Sequence, residues 1–250
     1  MALRLAVLGD MHGNLGALEA ALADIKHHKP DRLVITGDLT FNGPRPAETL
    51  ERVRGLENDG ALVICGNTDV AVADADYAAA FPWLEEVSES QRLAAEWAHD
   101  QLSDEQLDYL RRLPSERRLW VDQLFVLACH ASPGSLTAGL STDLDPAVTV
   151  ERVTRTDARV IACGHTHVAD VRELGAKLIV NPGSCGYAFD GDAAACWALL
   201  TMPDGADAEP TAELFRPPYD AAAAAEEIAA RGLPGDVYRA ATVRTGRLVR

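Results

Sequence analysis

The chain has 250 residues, 48% hydrophobic and 24% charged, and its 23 basic against 38 acidic side chains give a net charge of −15. That composition is ordinary for a globular protein, no window approaches eighteen uncharged apolar residues, and a membrane span is excluded. The negative field over most of the surface disfavours a long nucleic acid as partner.

The amino end, MALRLAVLGDMHG, has an apolar run too short for an export signal and reads as the first strand of a cytoplasmic protein. Five near-continuous apolar runs suit strands covered on both faces: LRLAVL from Leu3, RLVIT from Arg32, ALVIC from Ala61, QLFVLAC from Gln123 and RVIAC from Arg159. After the first, Leu15, Leu18, Leu22 and Ile25 recur at helical steps. That helix ends in KHHKP, where basic side chains suit the dipole and Pro30 stops continuation, so His27 and His28 are expected to be solvated. A helical insertion covers about residues 70–115; within it Ser88 with Gln91 and Ser103 with Gln106 form two S-x-x-Q capping signals. DLDPAVTVERV starts a further helix, with Asp145 as cap and Pro146 in the first turn. Beyond Cys163 come short strands, ADVREL, KLIVN, ACWALLT and TAELF, joined by turns such as LGA and PDGADAEP. The helix in DAAAAAEEIAARGLPG stops at Gly232 and Pro234. The stretch from Tyr238 to Arg250, with Arg239, Arg244, Arg247 and Arg250 and no acid, is expected to be a solvated or self-docking terminus. With no internal repeat, residues 1–250 read as one α/β domain with a helical cap. The dispersed cysteines (Cys65, Cys129, Cys163, Cys185, Cys196) form no CxxC pair and read as small buried hydrophobes in a reducing compartment.

Each of the five apolar strands runs into a small polar signature: GDMHGN (9–14), GDLTFNG (37–43), CGNTD (65–69), CHASPG (129–134) and CGHTH (163–167). Ligands bind at the carboxyl edge of α/β sheets, because loops from neighbouring strands converge there. Five such signatures predict one pocket lined by Asp10, His12, Asp38, Asn67, His130, His165 and His167. Glycines 9, 37, 66 and 164 are expected to let the chain turn sharply at these strand ends. A lone G-D, or the GHTH pair on a hairpin tip, has bland explanations; the ordered set does not. Oxygen and imidazole donors without a thiolate suit zinc, manganese or iron. Seven donors exceed one tetrahedral ion but serve two ions about 3.5–4 Å apart if a carboxylate bridges them. Such a site is locally positive and attracts a small phosphate ester that the rest of the surface would not.

The ordered set D-x-H-x-N, G-D, G-N-x-D, a histidine after a strand, and G-H-T-H resembles the calcineurin-like metallophosphoesterases, over Leu3 to about Ser184. NPGS at 181–184, NGPRP at 42–46 and the helix in AAEWAHDQLS look like the small bacterial phosphodiesterase and diadenosine-tetraphosphatase-like branch. The resemblance implies a four-layer αββα sandwich of two mixed β-sheets and two divalent or trivalent ions (Mn, Fe or Zn). It implies one ion on Asp10, His12 and His167, the other on Asn67, His130 and His165, and Asp38 between them. Asn67 and His130 would also orient the phosphate, and a metal-bridging hydroxide would hydrolyse phosphodiester or phosphoanhydride bonds of small nucleotide-like substrates. Asn14 would lie near the phosphate or behind the ligands, and Asn181 and Ser184 would support the site. Arg45 is either a phosphate clamp or a solvated side chain. Where many members carry a general-acid histidine after G-N, this chain has Thr68, which cannot supply that proton. Unless His99 or a water substitutes, leaving groups stable as anions are expected. Trp83 and Trp97 are either anchors of the insertion or a face on which a base stacks. The rival readings are a phosphoprotein or phosphomonoester phosphatase and a non-catalytic protein-binding scaffold of the same fold.

Overall fold

The computed structural model describes residues 2–121, 124–204 and 209–250. In chain order its elements are β1 (Leu3–Leu8), α1 (Leu15–His28), β2 (Arg32–Ile35), α2 (Pro46–Asn58), β3 (Leu62–Val63), α3 (Asn67–Asp74), α4 (Tyr77–Ala80), α5 (Glu89–Asp100), α6 (Asp104–Arg112), β4 (Glu116–Val121), β5 (Leu124–Cys129), α7 (Pro146–Val153), β6 (Val160–Ala162), β7 (Asp170–Leu174), β8 (Lys177–Asn181), β9 (Trp197–Met202), β10 (Thr211–Phe215), α8 (Ala221–Ala230) and α9 (Asp236–Thr245). Gln123, expected to open a strand, and residues 205–208 of the expected PDGADAEP turn lie outside the described residues.

The strands form two five-stranded sheets, ordered β10-β9-β1-β2-β3 and β4-β5-β6-β8-β7. In the first, β1, β2 and β3 run parallel and β9 is antiparallel to β1 and β10. In the second, β5, β6 and β8 run parallel between antiparallel edges β4 and β7.

Side-chain alternation along the parallel strands builds the layers. Leu5 and Val7 of β1 meet Val126, Ala128, Val160, Val180 and Leu200 in an apolar layer between the sheets. Ala6 and Leu8 point the other way, onto Leu18 and Ile25 of α1 and Leu50 and Val53 of α2. On the far face Leu127, Ile161 and Ile179 cover Val153 of α7. The result is the four-layer αββα sandwich of two mixed sheets expected from the sequence.

The helical insertion lies between β3 and β4, as α3 to α6. Ser103 accepts from Gln106 N while the Gln106 side chain accepts from Ser103 N, a reciprocal capping box on α6. At α5 the bond is one-way: Ser88 accepts from Gln91 N, and the Gln91 side-chain oxygen accepts from the Ser88 hydroxyl instead. Ser103→Ala is expected to lower the unfolding free energy by about 1 kcal/mol, read from the midpoint of a urea titration at unchanged slope.

Three features differ from the sequence reading. β4 was not expected, because ERRLWV carries two adjacent arginines where an apolar run was sought. His28 is not simply solvated: its ring lies 4.3 Å from the Phe215 ring and 5.2 Å from the Trp197 ring. Beyond Pro234 the chain resumes as α9, which packs Ala240 and Val243 against Ala225 and Ile228 of α8 and against Tyr187. The basic stretch is therefore self-docking over most of its length. All five cysteines are buried and unbonded, and no helix among the described residues is long and apolar enough to cross a membrane.

Candidate metal centre

The parallel strands of the two sheets end side by side. Asp10 and His12 follow β1, Asp38 follows β2, Asn67 opens α3 just after β3, His130 follows β5, and His165 and His167 follow β6. All are buried except His165, which is partly exposed. Asp10, His12, Asp38 and His167 bring one donor atom each within 4.8 Å of one another. Among the described residues eight non-glycine residues have positive φ, and five of them are Asp10 (54°), His12 (50°), Asp38 (55°), His165 (69°) and His167 (57°). Left-handed backbone in a non-glycine residue is uncommon and persists where surrounding structure over-determines it. Here that backbone turns donor side chains inward from loops a few residues long.

Hydrogen bonding fixes what those side chains offer. His12 Nδ1 donates to Phe41 O (3.0 Å), His130 Nδ1 to Thr36 O (2.7 Å) and His167 Nδ1 to Tyr187 O (2.5 Å). A carbonyl can only accept, so each Nδ1 carries a proton and Nε2 of the neutral ring carries a lone pair. His12 Nε2 and His167 Nε2 face each other at 3.1 Å. His130 Nε2 faces Asn67 Oδ1 at 2.9 Å, and His165 Nδ1 faces the same oxygen at 3.0 Å. Asn67 is oriented by its Nδ2, which donates to Ala80 O. Burial is the main reason that His12, His165 and His167 sit below the usual imidazole range, with His165 at about 4. Opposed lone pairs at these separations repel unless a cation lies among them. The donor set thus fits a metal ion, with backbone carbonyls holding the rings in the ligating tautomer.

Asp38 lies between the two groups of rings. Its Oδ2 is 3.5 Å from His12 Nε2 and its Oδ1 is 3.5 Å from His130 Nε2. Burial opposes its charge, but His130, His12, His165 and a bond from Thr68 N bring the carboxyl down to about 2. Asp10 Oδ1 is 3.6 Å from His167 Nε2, and burial followed by the Asp38 charge pushes Asp10 well above the usual carboxylate range. Both carboxylates occupy spaces that a side chain would fill: a Cβ on Gly66 would fall 2.1 Å from Asp38 Oδ1, and one on Gly164 would fall 2.5 Å from Asp10 Oδ2. Of the four strand-end glycines only Gly37 has positive φ (93°). Close packing, rather than a turn, accounts for the others.

The sequence reading missed Asp69, the last residue of G-N-x-D. Its carboxylate accepts from Asp38 N (2.9 Å), Leu39 N (2.8 Å) and Gly66 N (2.8 Å), tying the β2 and β3 ends together. Burial and Asp38 raise it to about 7. The signal was present as the fixed spacing to Asn67, but an aspartate at the third position of a helix looks like an ordinary capping residue.

Of the other expected residues, Asn181 donates to Gly164 O and Thr166 Oγ1, bracing the GHTH loop. Ser184 donates to Asp10 O and accepts from Tyr187 N. Asn14 caps α1 through Oδ1 and donates to Gly186 O and Tyr219 Oη. Arg45 is bidentate with Glu227 of α8, at 2.7 and 2.6 Å. Thr68 lines the site, with its hydroxyl buried and unpartnered among the described residues. His99 is paired through Nδ1 with Val72 O. Trp83 is 55% exposed and stands edge-on to His165, ring centroids 5.9 Å apart, whereas Trp97 is covered by the Arg231 guanidinium.

These groups open into a cleft of about 700 Å³ walled by Phe41, Phe81, Trp83, Tyr187 and Phe189 and, on another side, by residues of α9 and beyond. Residues 3–205 match the family model described as the calcineurin-like phosphoesterase superfamily domain, and the chain belongs to that superfamily. It is accordingly a phosphate ester hydrolase with a buried Asp/His metal-binding group.

Among particular relatives, an uncharacterized protein of Methanocaldococcus jannaschii is 26% identical over 245 residues, 92% of this chain and 93% of its own. A protein of Psychromonas ingrahamii named symmetrical bis(5'-nucleosyl)-tetraphosphatase is 37% identical over 114 residues, 45% of this chain and 38% of its own. The crystal structure of a metallophosphoesterase from Sphaerobacter thermophilus is similar at a TM-score of 0.75 and 27% identity, over 98% of this chain and all of that one.

Proposed function

We propose that the chain is a two-metal phosphoesterase hydrolysing phosphodiester or phosphoanhydride bonds of small, nucleotide-like substrates. The observation that carries this reading is Asp38, whose two oxygens face two different groups of imidazoles at 3.5 Å each. In this reading Asp10, His12 and His167 hold one ion, Asn67, His130 and His165 hold the other, and Asp38 bridges. When bound, the ions would acidify a water and neutralise charge on the phosphoryl oxygens; manganese, iron and zinc all suit these donors.

The protein's own residues do the rest. Asn67 and His130 orient the phosphate beside the second ion, and Asn181 and Ser184 brace the GHTH and GDMHGN loops through their backbones. Thr68 stands where a proton donor would be needed, and His99 is engaged by Val72 O. His99 is not among the described residues that line the cleft, and neither it nor Thr68 offers a proton to a departing alkoxide, which favours leaving groups stable as anions. Trp83, exposed beside His165, offers an aromatic face to a base. The match to a tetraphosphatase supports a nucleotide but spans only 38% of that protein. Arg45, held by Glu227, has no part in this reading. The five buried thiols support a reducing, cytoplasmic setting.

The test measures bound metal and then compares rates on bis(p-nitrophenyl) phosphate, p-nitrophenyl phosphate and diadenosine tetraphosphate. The phosphodiester or the dinucleotide is expected to be turned over faster than the monoester; both p-nitrophenyl esters release the same stable anion, so this preference is read independently of the absent general acid. Preference for the monoester would favour a phosphomonoester phosphatase, and no turnover of any of the three with two ions bound would favour a scaffold.

A further inference from the structure

The family match ends at residue 205, so α8, α9 and the residues after them lie outside it. Part of this segment nevertheless walls the cleft over the metal cluster: Tyr238 and Arg239 of α9, then Leu248, Val249 and Arg250.

Buried Asp236 and Arg239, with Arg231, whose side chain is largely covered, fasten the segment. Asp236 Oδ1 receives Arg231 Nη2 at 2.6 Å and Arg239 Nη1 at 3.2 Å. Arg239 also donates through Nη2 to Ser90 O of α5 (2.5 Å) and through Nε to Asn42 Oδ1 (3.0 Å). Arg231 donates to Gly43 O, and its guanidinium lies 4.6 Å from the centroid of the Trp97 ring in α5. Asn42 and Gly43 follow Phe41, whose carbonyl orients His12. The segment is thus locked both to the cap and to the loop behind a metal-site histidine, so the wall it forms has a defined position over the cluster.

What it turns toward the cleft is open to solvent. Eight large hydrophobic residues are exposed among those described, and three of them, Trp83 (55%), Tyr238 (50%) and Leu248 (44%), line this one cleft. Apolar side chains exposed singly need no explanation, but their concentration in a cavity marks a binding surface. Among the described residues two cations line the cleft, Arg239 and Arg250. The donors of Arg239 are engaged as described, whereas Arg250 is exposed and makes no hydrogen bond or ion pair among the described residues. In a chain of net charge −15, an unpaired guanidinium beside a phosphoesterase centre is a local attractor for anions.

We propose that Tyr238 and Arg250 are specificity-determining residues of this phosphoesterase, Tyr238 packing against a planar apolar group of the substrate and Arg250 binding an anionic group remote from the scissile phosphate. The inference rests on the reading of the substrate as small and nucleotide-like. It adds that the substrate extends beyond one phosphate, carrying at least one further phosphate or similar anion toward Arg250. A dinucleoside polyphosphate has both features; bis(p-nitrophenyl) phosphate lacks the second anion.

The experiment compares wild type, Arg250→Gln and Tyr238→Ala, metal-loaded, on diadenosine tetraphosphate and on bis(p-nitrophenyl) phosphate. In Arg250→Gln the ratio of kcat/KM for the dinucleotide over that for the diester is expected to fall about tenfold, the scale of one charged hydrogen bond. The loss should lie mainly in KM, and the melting temperature should be unchanged. Tyr238→Ala should lower dinucleotide binding, read as KM, by a similar factor. If wild type hydrolyses neither substrate, the proposed activity on phosphodiester or phosphoanhydride bonds itself fails. If wild type hydrolyses the dinucleotide and Arg250→Gln leaves the ratio within twofold, only the present inference is overturned. A rise in kcat/KM for the dinucleotide in Arg250→Gln would also overturn it, since the segment would then obstruct the cleft rather than serve it.

Discussion

Asp38→Asn is expected to lower kcat by about 10²- to 10³-fold, the scale on which removal of one preorganised electrostatic group from an active site is felt, while the folded structure persists. The exchange keeps size and shape and leaves an oxygen to accept the bond that Thr68 N now makes to Oδ1. It removes one of three mutually close buried carboxylates, since Asp38 raises both Asp10 and Asp69. Against that relief, the groups around Asp38 hold its own carboxyl down to about 2 and so favour its charge in the folded state; the metal-free variant is expected to stay folded, without a gain in stability. What it loses is the negative charge, and one of the two oxygens becomes an NH2 that cannot ligate a metal; His167 still faces Asp10, whereas His130 no longer faces a carboxylate. Bound metal per chain should fall together with kcat, measured by elemental analysis and steady-state rates at saturating metal. An Asp38→Asn protein with wild-type turnover would remove Asp38 from the bridging position.

Metal loading is expected to raise the melting temperature by roughly 5–15 °C. A ligand present at 100 to 1,000 times its dissociation constant stabilises by about 2.7–4.1 kcal/mol, and a chain of this size gains about 2–4 °C per kcal/mol. The physical source is specific to this site. Without a cation, His12 and His167 oppose lone pairs at 3.1 Å, and Asp10 and Asp69 are held above the usual carboxylate range by burial and by Asp38. A divalent ion relieves both kinds of repulsion. Scanning calorimetry with manganese, zinc or a chelator reads the shift, which the chelator should reverse. An unchanged melting temperature at millimolar metal would mean that these donors do not gather an ion.

Much of this was legible in the sequence because it was local. Strands buried on both faces appear as unbroken apolar runs, and each parallel run led directly into a signature whose spacing fixes which side chains turn inward. What escaped depended on distant partners. β4 lies at a sheet edge with Arg117, Arg118 and Trp120 exposed, so its pairing with β5 left no apolar run to find. Arg45 looked available until α8, some 180 residues later, brought Glu227 to it. Arg239 looked like one more surface charge in a basic stretch, yet it is buried against Asp236, Ser90 and Asn42. Asp69 works through three backbone N–H groups, an arrangement that exists only once the β2 and β3 ends have met.

The left-handed backbone at Asp10, His12, Asp38, His165 and His167 also limits how this centre can evolve. That conformation costs most residue types of order 1–3 kcal/mol and falls least heavily on Asn, Asp and His. A single exchange to cysteine or glutamate at any of these positions therefore meets a folding penalty before coordination chemistry is consulted. Neighbouring sequences that retain both the loops and a ligand are weighted toward Asp, Asn and His. Drift toward a thiolate-rich centre, and the softer metals it would recruit, is disfavoured by the shape of the loops themselves.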